Sequence, residues 1–149
     1  MSNNKKTIVI CSSANFYKHA LEVSEQLKEM GYKTLVPITI KKMKRSGNFN
    51  ASDYRIWFKN PDAFKRKTYL MRNHFNKIAK SDAVLVVNDE KRGIKGYIGA
   101  NVLMEMGLAL HLGKLIYIFN GVPADSPIYE EVRAMQSKII NGDLSKIKL

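Results

Sequence analysis

A single cysteine, Cys11, is the chain's entire thiol content, which excludes an internal disulfide and any zinc site built from paired cysteines. Histidines are almost as sparse, at positions 19, 74 and 111. None stands at a metal-ligand spacing from another, so the sequence predicts no metal and no cofactor. No apolar run reaches the ~20 residues that cross a bilayer, and the opening "MSNNKKTIVIC" lacks the long hydrophobic stretch of a secretory signal. A cytoplasmic protein without membrane contact is therefore expected. Acidic residues are also few, 13 against 25 lysines and arginines, for a net charge of +12. Such a surplus attracts anions, from small phosphorylated molecules to nucleic acid. No recognised nucleic-acid motif accompanies it, so nucleic-acid binding is an alternative that the sequence does not favour.

What the chain does have is apolar content, 45% of 149 residues, enough to bury the core of one domain spanning 1–149. Short apolar runs rich in β-branched residues alternate with longer segments of helical periodicity. "TIVICSS" reads as a first strand, and "NFYKHALEVSEQLKEMG" as a helix with Ala20, Val23, Leu27 and Met30 on one stripe and Gly31 as its stop. "YKTLVPITI" reads as a second strand, placed at an edge or cut short by Pro37. The polar and aromatic stretch from Lys41 to Asn60 reads as a long loop, and the segment from Pro61 to Ser81 as a helix with Phe64, Met71, Phe75 and Ile78 facing inward. "DAVLVVN" is a strand covered on both faces. A helix from Ile98 to Lys114, the strand "KLIYIFN", the helix "IYEEVRAMQ" and a short strand "KIING" complete the chain. The alternation implies right-handed βαβ crossovers, hence an α/β, doubly wound (flavodoxin- or Rossmann-like) parallel sheet of about five strands.

In such a sheet, ligands bind beyond the carboxyl ends of the strands where the strand order reverses, here between the first and third strands. Two loops should meet there, Cys11 to Asn15 and Asn88 to Asn101. The second leads into "GANVLMEMGLALHLGK", where Glu105 stands among aliphatic residues with Asn101 one turn before it. A carboxylate on an apolar helix at a ligand crevice is a candidate functional group. Ser12 and Ser13, with Asn15 at the following helix start, form a possible anion or ribose cradle, the bland alternative being a helix cap. Arg92, Lys18 and Lys95 could add charge for an anionic ligand. Tyr54, Trp57 and Phe58, between Arg55 and Lys59, suit either an aromatic lid over a base or a subunit contact. The lone histidines read as structural or exposed.

The motifs "SDAVLVVND" and "GANVLMEMGLALHLGKLIYIF", with the front end "IVICSSANF" and "LKEMGYKTLVP", resemble the nucleoside 2-deoxyribosyltransferase superfamily over most of the chain. The resemblance implies a glutamate nucleophile at Glu105, followed by Gly107, Ala109, Gly113 and Lys114 of the family pattern, with Asp82 matching the family's strand aspartate. Asp89 and Glu90, at the end of the third strand, are by topology the nearest candidate acids for the leaving base, and Asp82 is the candidate that the family match adds. Asn88, Gly99 and Asn101 join the substrate contacts. Gly99-Ala100-Asn101 departs from the Asp-Gly-Thr-like loop of many members, so the chain reads as a divergent branch. The activity implied is hydrolysis or transfer at the N-glycosidic bond of a nucleoside or its 5′-monophosphate, in a homodimer or other homo-oligomer. A non-catalytic nucleotide-binding or sensing domain is the alternative that this departure invites.

Overall fold

The computed structural model describes residues 4–149. Five parallel strands make one sheet in the order β2-β1-β3-β4-β5, with β1 at Thr7–Ser12, β2 at Lys33–Leu35, β3 at Ala83–Val87, β4 at Leu115–Ile118 and β5 at Lys138–Ile139. The helices are α1 (Tyr17–Glu29), α2 (Ile38–Ser46), α3 (Phe64–Ala79), α4 (Ala100–His111) and α5 (Tyr129–Ala134). This is the doubly wound order, and the reversal falls between β1 and β3 as expected.

Side chains of a strand alternate between the two faces of its sheet, and here the alternation divides the core in two. Ile8, Ile10, Leu85 and Tyr117 pack against α1, through Ala20, Val23 and Leu27, and against the C-terminal segment through Ile140 and Ile147. Val9, Cys11, Val84, Val86 and Ile118 pack on the other face against Val102, Met106 and Ala109 of α4, Ile78 of α3 and Val132 of α5. Every residue of β3 is buried, which is why its sequence is an unbroken apolar run rather than an alternating one. Among the described residues, no helix is long and apolar enough to cross a membrane.

Two elements differ from the sequence-based expectation. The second strand stops at Leu35, because Pro37 takes the position before a helix and Ile38, Thr39 and Ile40 wind into α2 instead of extending the sheet. Their β-branching suggested a strand, but Ile40 and Met43, three residues apart, share one face of the helix and are fully buried. The expected long loop therefore shrinks to residues 47–60, which contain a four-residue helical turn at Ala51–Tyr54 and a three-residue one at Ile56–Phe58. The inward face of α3 is also rotated from the expected stripe. Phe64 is exposed, while His74 and Ile78 are the buried positions. Met30, expected on the buried stripe of α1, is exposed where that helix ends.

Candidate active site

The carboxyl ends of β1 and β3 open onto a cavity of about 220 Å³. Ser12 at the end of β1 and Ser13 and Ala14 after it line one side, and Lys91, Tyr97 and Gly99 from the loop before α4, with Asn101 in the first turn of α4, line another. The two loops that the strand order brings together thus meet as expected. The cavity is completed by Tyr17 of α1, by Arg55 and Trp57 of the segment 47–60, and by Lys67, Met71 and His74 of α3.

The loop after β3 is anchored before it reaches the cavity. Asn88 is fully buried, donates from Nδ2 to the Asn120 carbonyl at 2.8 Å and accepts the Asn120 N–H on Oδ1 at 2.8 Å. The Asn120 side chain returns a bond to the Asn88 carbonyl at 3.1 Å. Further on, Gly96 has φ +62, and a Cβ there would overlap the Gly121 carbonyl oxygen. Glycine is required at this position by conformation and by space.

Glu105 lies on the cavity wall with only 4% of its surface exposed. Asn101, one turn earlier on α4, donates from Nδ2 to Glu105 Oε1 at 3.0 Å. The other oxygen, Oε2, has no hydrogen-bond partner among the described residues. Burial drives the carboxyl up from its ordinary 4.5 to about 8, against the opposing pull of contacts with Cys11, the Lys67 charge and the Asn101 bond. His74 Nε2 stands 3.8 Å from Glu105 Oε2, a distance that would suit an ion pair. Burial, with help from the Lys77 charge, holds the imidazole down at about 4, so between the two midpoints neither group is charged and the contact is a neutral one. Cys11 Sγ lies 3.6 Å from the same His74 nitrogen, and burial pushes this thiol well above its ordinary range, with Glu105 adding to the effect. Cys11, His74 and Glu105 are the group whose ligand atoms could together hold a metal ion, all within 4.8 Å of one another.

The remaining charge in the cavity is positive. Arg55, Lys67 and Lys91 line it, and Glu105 is the sole carboxylate in its lining among the described residues. Burial lowers the Lys67 ammonium below its ordinary range, with Glu105 opposing and Arg55 reinforcing that shift. Burial and the nearby Glu105 raise the Tyr17 phenol, which therefore keeps its proton at neutral pH.

Several expected site residues fall elsewhere. Asp82 precedes β3, at the amino end of the sheet, where its carboxylate accepts the Thr7 N–H at 2.8 Å. It joins two strand starts and lies away from the crevice, because a residue before a parallel strand emerges at the end opposite the ligand. Asp89 is on the correct end, but its oxygens take His19 Nδ1 at 2.8 and 3.0 Å, and it does not line the cavity. Asn15 and Arg92 are exposed and outside the lining, Arg92 because it sits at φ 51 in a tight turn between Lys91 and Ile94. Asn88 supports the loop from beneath. Ser12 donates to the Ser13 carbonyl at 2.8 Å, and Ser13 makes no side-chain cap bond, so its hydroxyl is free of the helix-capping role. Tyr17, Lys67, His74, Lys91 and Tyr97 were not signalled by any motif. Those on α3 required the true rotation of that helix.

A doubly wound α/β domain with a cation-lined cavity and a buried carboxyl at its switch point is the class that these observations define. Comparison with protein-family models and with curated proteins finds no match. Among solved structures, the chain is similar to the 2-deoxyribosyltransferase of the psychrotolerant bacterium Bacillus psychrosaccharolyticus, at 17% identity, with a TM-score of 0.54, over 84% of this chain and 80% of that one. At that identity the likeness establishes a shared fold.

Proposed function

We propose that the chain cleaves or transfers at the N-glycosidic bond of a nucleoside or nucleoside 5′-monophosphate, with Glu105 as nucleophile. The observation that carries this reading is the Glu105 carboxyl itself, held at one oxygen by Asn101 and without a partner at the other, in the wall of the crevice. Ionised, that free oxygen attacks the anomeric carbon as the base departs, giving a glycosyl ester that water or a second base resolves. A buried, poorly hydrated carboxylate is a stronger nucleophile than a solvated one. The 2-deoxyribosyltransferase that shares the fold supports the same reading. Arg55, Lys67 and Lys91 favour a substrate with a phosphate on the sugar. With Asp82 and Asp89 outside the lining, the proton for the departing base is assigned to Tyr17, whose phenol lines the cavity and keeps its proton at neutral pH. The exposed apolar residues Met104, Leu110 and Leu112 on and after α4 support a homodimer through that helix. Incubating the protein with a panel of nucleosides and their monophosphates and measuring free base tests the assignment. Base release by the wild type and its loss in Glu105→Gln are expected.

That Glu105 is the one carboxylate lining the cavity among the described residues favours one other reading, a domain that binds nucleotides without cleaving them. Nucleotide binding with no base released by the wild type would select it.

A further inference from the structure

We propose that Cys11, His74 and Glu105 form a binding site for a soft divalent cation of the zinc class, at the floor of the cavity. The three are far apart in sequence, and only the packing of β1, α3 and α4 unites them. A tetrahedral zinc ion sits about 2.3 Å from a thiolate sulfur and about 2.0–2.1 Å from an imidazole nitrogen or carboxylate oxygen. Those lengths place sulfur and nitrogen about 3.5 Å apart and nitrogen and oxygen about 3.4 Å apart. Here Cys11 Sγ and His74 Nε2 are 3.6 Å apart, and His74 Nε2 and Glu105 Oε2 are 3.8 Å apart. All the ligand atoms lie within 4.8 Å of one another. The two edges that meet at His74 need to contract by only a few tenths of an ångström.

Independent support comes from the partners of these atoms. Glu105 Oε2 is buried and accepts no hydrogen bond among the described residues, and an unpaired buried acceptor is costly unless something binds it. Asn101 meanwhile holds Oε1 at 3.0 Å, which orients the carboxyl with its free oxygen toward His74, as an outer-shell partner does for a metal-bound carboxylate. Access is from one side. His74 and Glu105 line the cavity while Cys11 is fully buried beneath them, so an ion arrives through the cavity and keeps a fourth position open toward it. Binding displaces the protons of the Cys11 thiol and the Glu105 carboxyl to solvent, and the resulting thiolate, neutral imidazole and carboxylate balance a divalent charge in a desolvated place, the thiolate selecting zinc or cobalt over magnesium or calcium. His74 Nδ1 has no partner among the described residues, so affinity should fall short of a fully supported site by about 10–100-fold. An ion held here occupies the Glu105 oxygen that the glycosidic reaction needs, making the site an inhibitory one.

The test uses the whole chain, stripped with a chelator and titrated with cobalt(II) and with zinc in the absence of nucleotide. The wild type should take one equivalent, and the cobalt form should show intense tetrahedral visible bands and a thiolate-to-cobalt charge-transfer band. Cys11 is the chain's one cysteine, so Cys11→Ala must abolish the charge-transfer band, and both it and His74→Asn should weaken zinc binding by about tenfold or more. Absence of the band in the wild type overturns the proposal without reference to either variant. So does zinc affinity unchanged in both variants, each confirmed folded by circular dichroism. Base release assayed with chelator present reports separately on Glu105 as nucleophile, so either reading can fail alone.

Discussion

Glu105→Gln should make the protein more stable at neutral pH, by an amount that depends on pH in a defined way. In the unfolded chain the carboxyl loses its proton near 4.5, and in the folded protein only at about 8. Between those values the unfolded state has given up a proton that the folded state still holds, so stability falls as pH rises. Each pH unit in the window costs about 1.4 kcal/mol, which amounts to roughly 3 kcal/mol at pH 7 and roughly 4 kcal/mol at pH 8, where the folded carboxyl begins to ionise and the loss levels off. Glutamine matches the protonated acid in shape, can accept the Asn101 bond and has no proton to lose. The variant and the wild type should therefore unfold together near pH 4.5 and separate steadily above it, the variant being the more stable. His74 acts in the opposite sense, since its folded value near 4 lies below the ordinary 6.5, but it is present in both proteins and cancels in the difference. Urea titrations of both at half-unit pH intervals from 4.5 to 8.5 give the curve directly. A difference that is flat with pH, or a variant less stable throughout, would refute the account of Glu105 as a desolvated, unpaired acid.

For wild-type catalysis, kcat/KM for base release should climb with pH and level off near 8, as the nucleophile ionises; a profile already level at pH 6 contradicts this. His74→Gln should remove an acid sensitivity: as pH falls from 6.5 toward 4 the unfolded wild type takes up a proton that the folded protein refuses, a loss of about 3 kcal/mol in all, so the stability difference between the two proteins should be constant above pH 6.5 and shift by that amount against the wild type below it, as acid titrations would show. Asn88→Ala, which strips both bonds to Asn120 from a fully buried position, should cost about 2–4 kcal/mol in urea unfolding. Gly96→Ala, blocked by φ +62 and by the Gly121 carbonyl, should raise KM for nucleotide by displacing Lys91 and Tyr97, an effect that a competition assay would detect. Lys67→Met should weaken binding of a monophosphate more than of the matching nucleoside at low salt, and equal losses for both would remove Lys67 from any phosphate contact.

The architecture was legible because the strands advertise themselves. Buried β3 reads as five consecutive aliphatic residues, and the alternation of strands with helices admits few arrangements besides the parallel order observed. Glu105 was legible for a related reason, as a charge on an otherwise apolar helix. The acids proposed to assist it were not, because sequence adjacency to a strand does not say which end of the sheet a residue occupies or which neighbour claims it. Asp82 lies at the amino end and serves Thr7, and Asp89 is taken by His19. The second strand misled through local propensity. Ile38, Thr39 and Ile40 favour extended backbone, yet the burial gained by Ile40 and Met43 on a helix prevailed. The Cys11, His74 and Glu105 cluster left no trace in spacing at all, since its members come from three elements whose relative rotation is a property of packing alone.

The short segment between α2 and α3 is held mainly by its own side chains: Asn48 bonds Asp53, Asn50 caps the turn at Ser52, and Tyr54 ties back to Ser46 and the Asn48 carbonyl. It nevertheless contributes Ala51, Tyr54, Arg55 and Trp57 to the cavity, while Glu105, the proposed nucleophile, stands on α4. Roof and floor are thus built to different specifications, one by local polar knots and the other by the packed sheet. Changes of length or composition in the roof can alter what is admitted without disturbing the groups that react. In a lineage of such proteins, or in the laboratory, substrate preference could be rewritten in about a dozen residues while the rest of the fold keeps its sequence requirements intact.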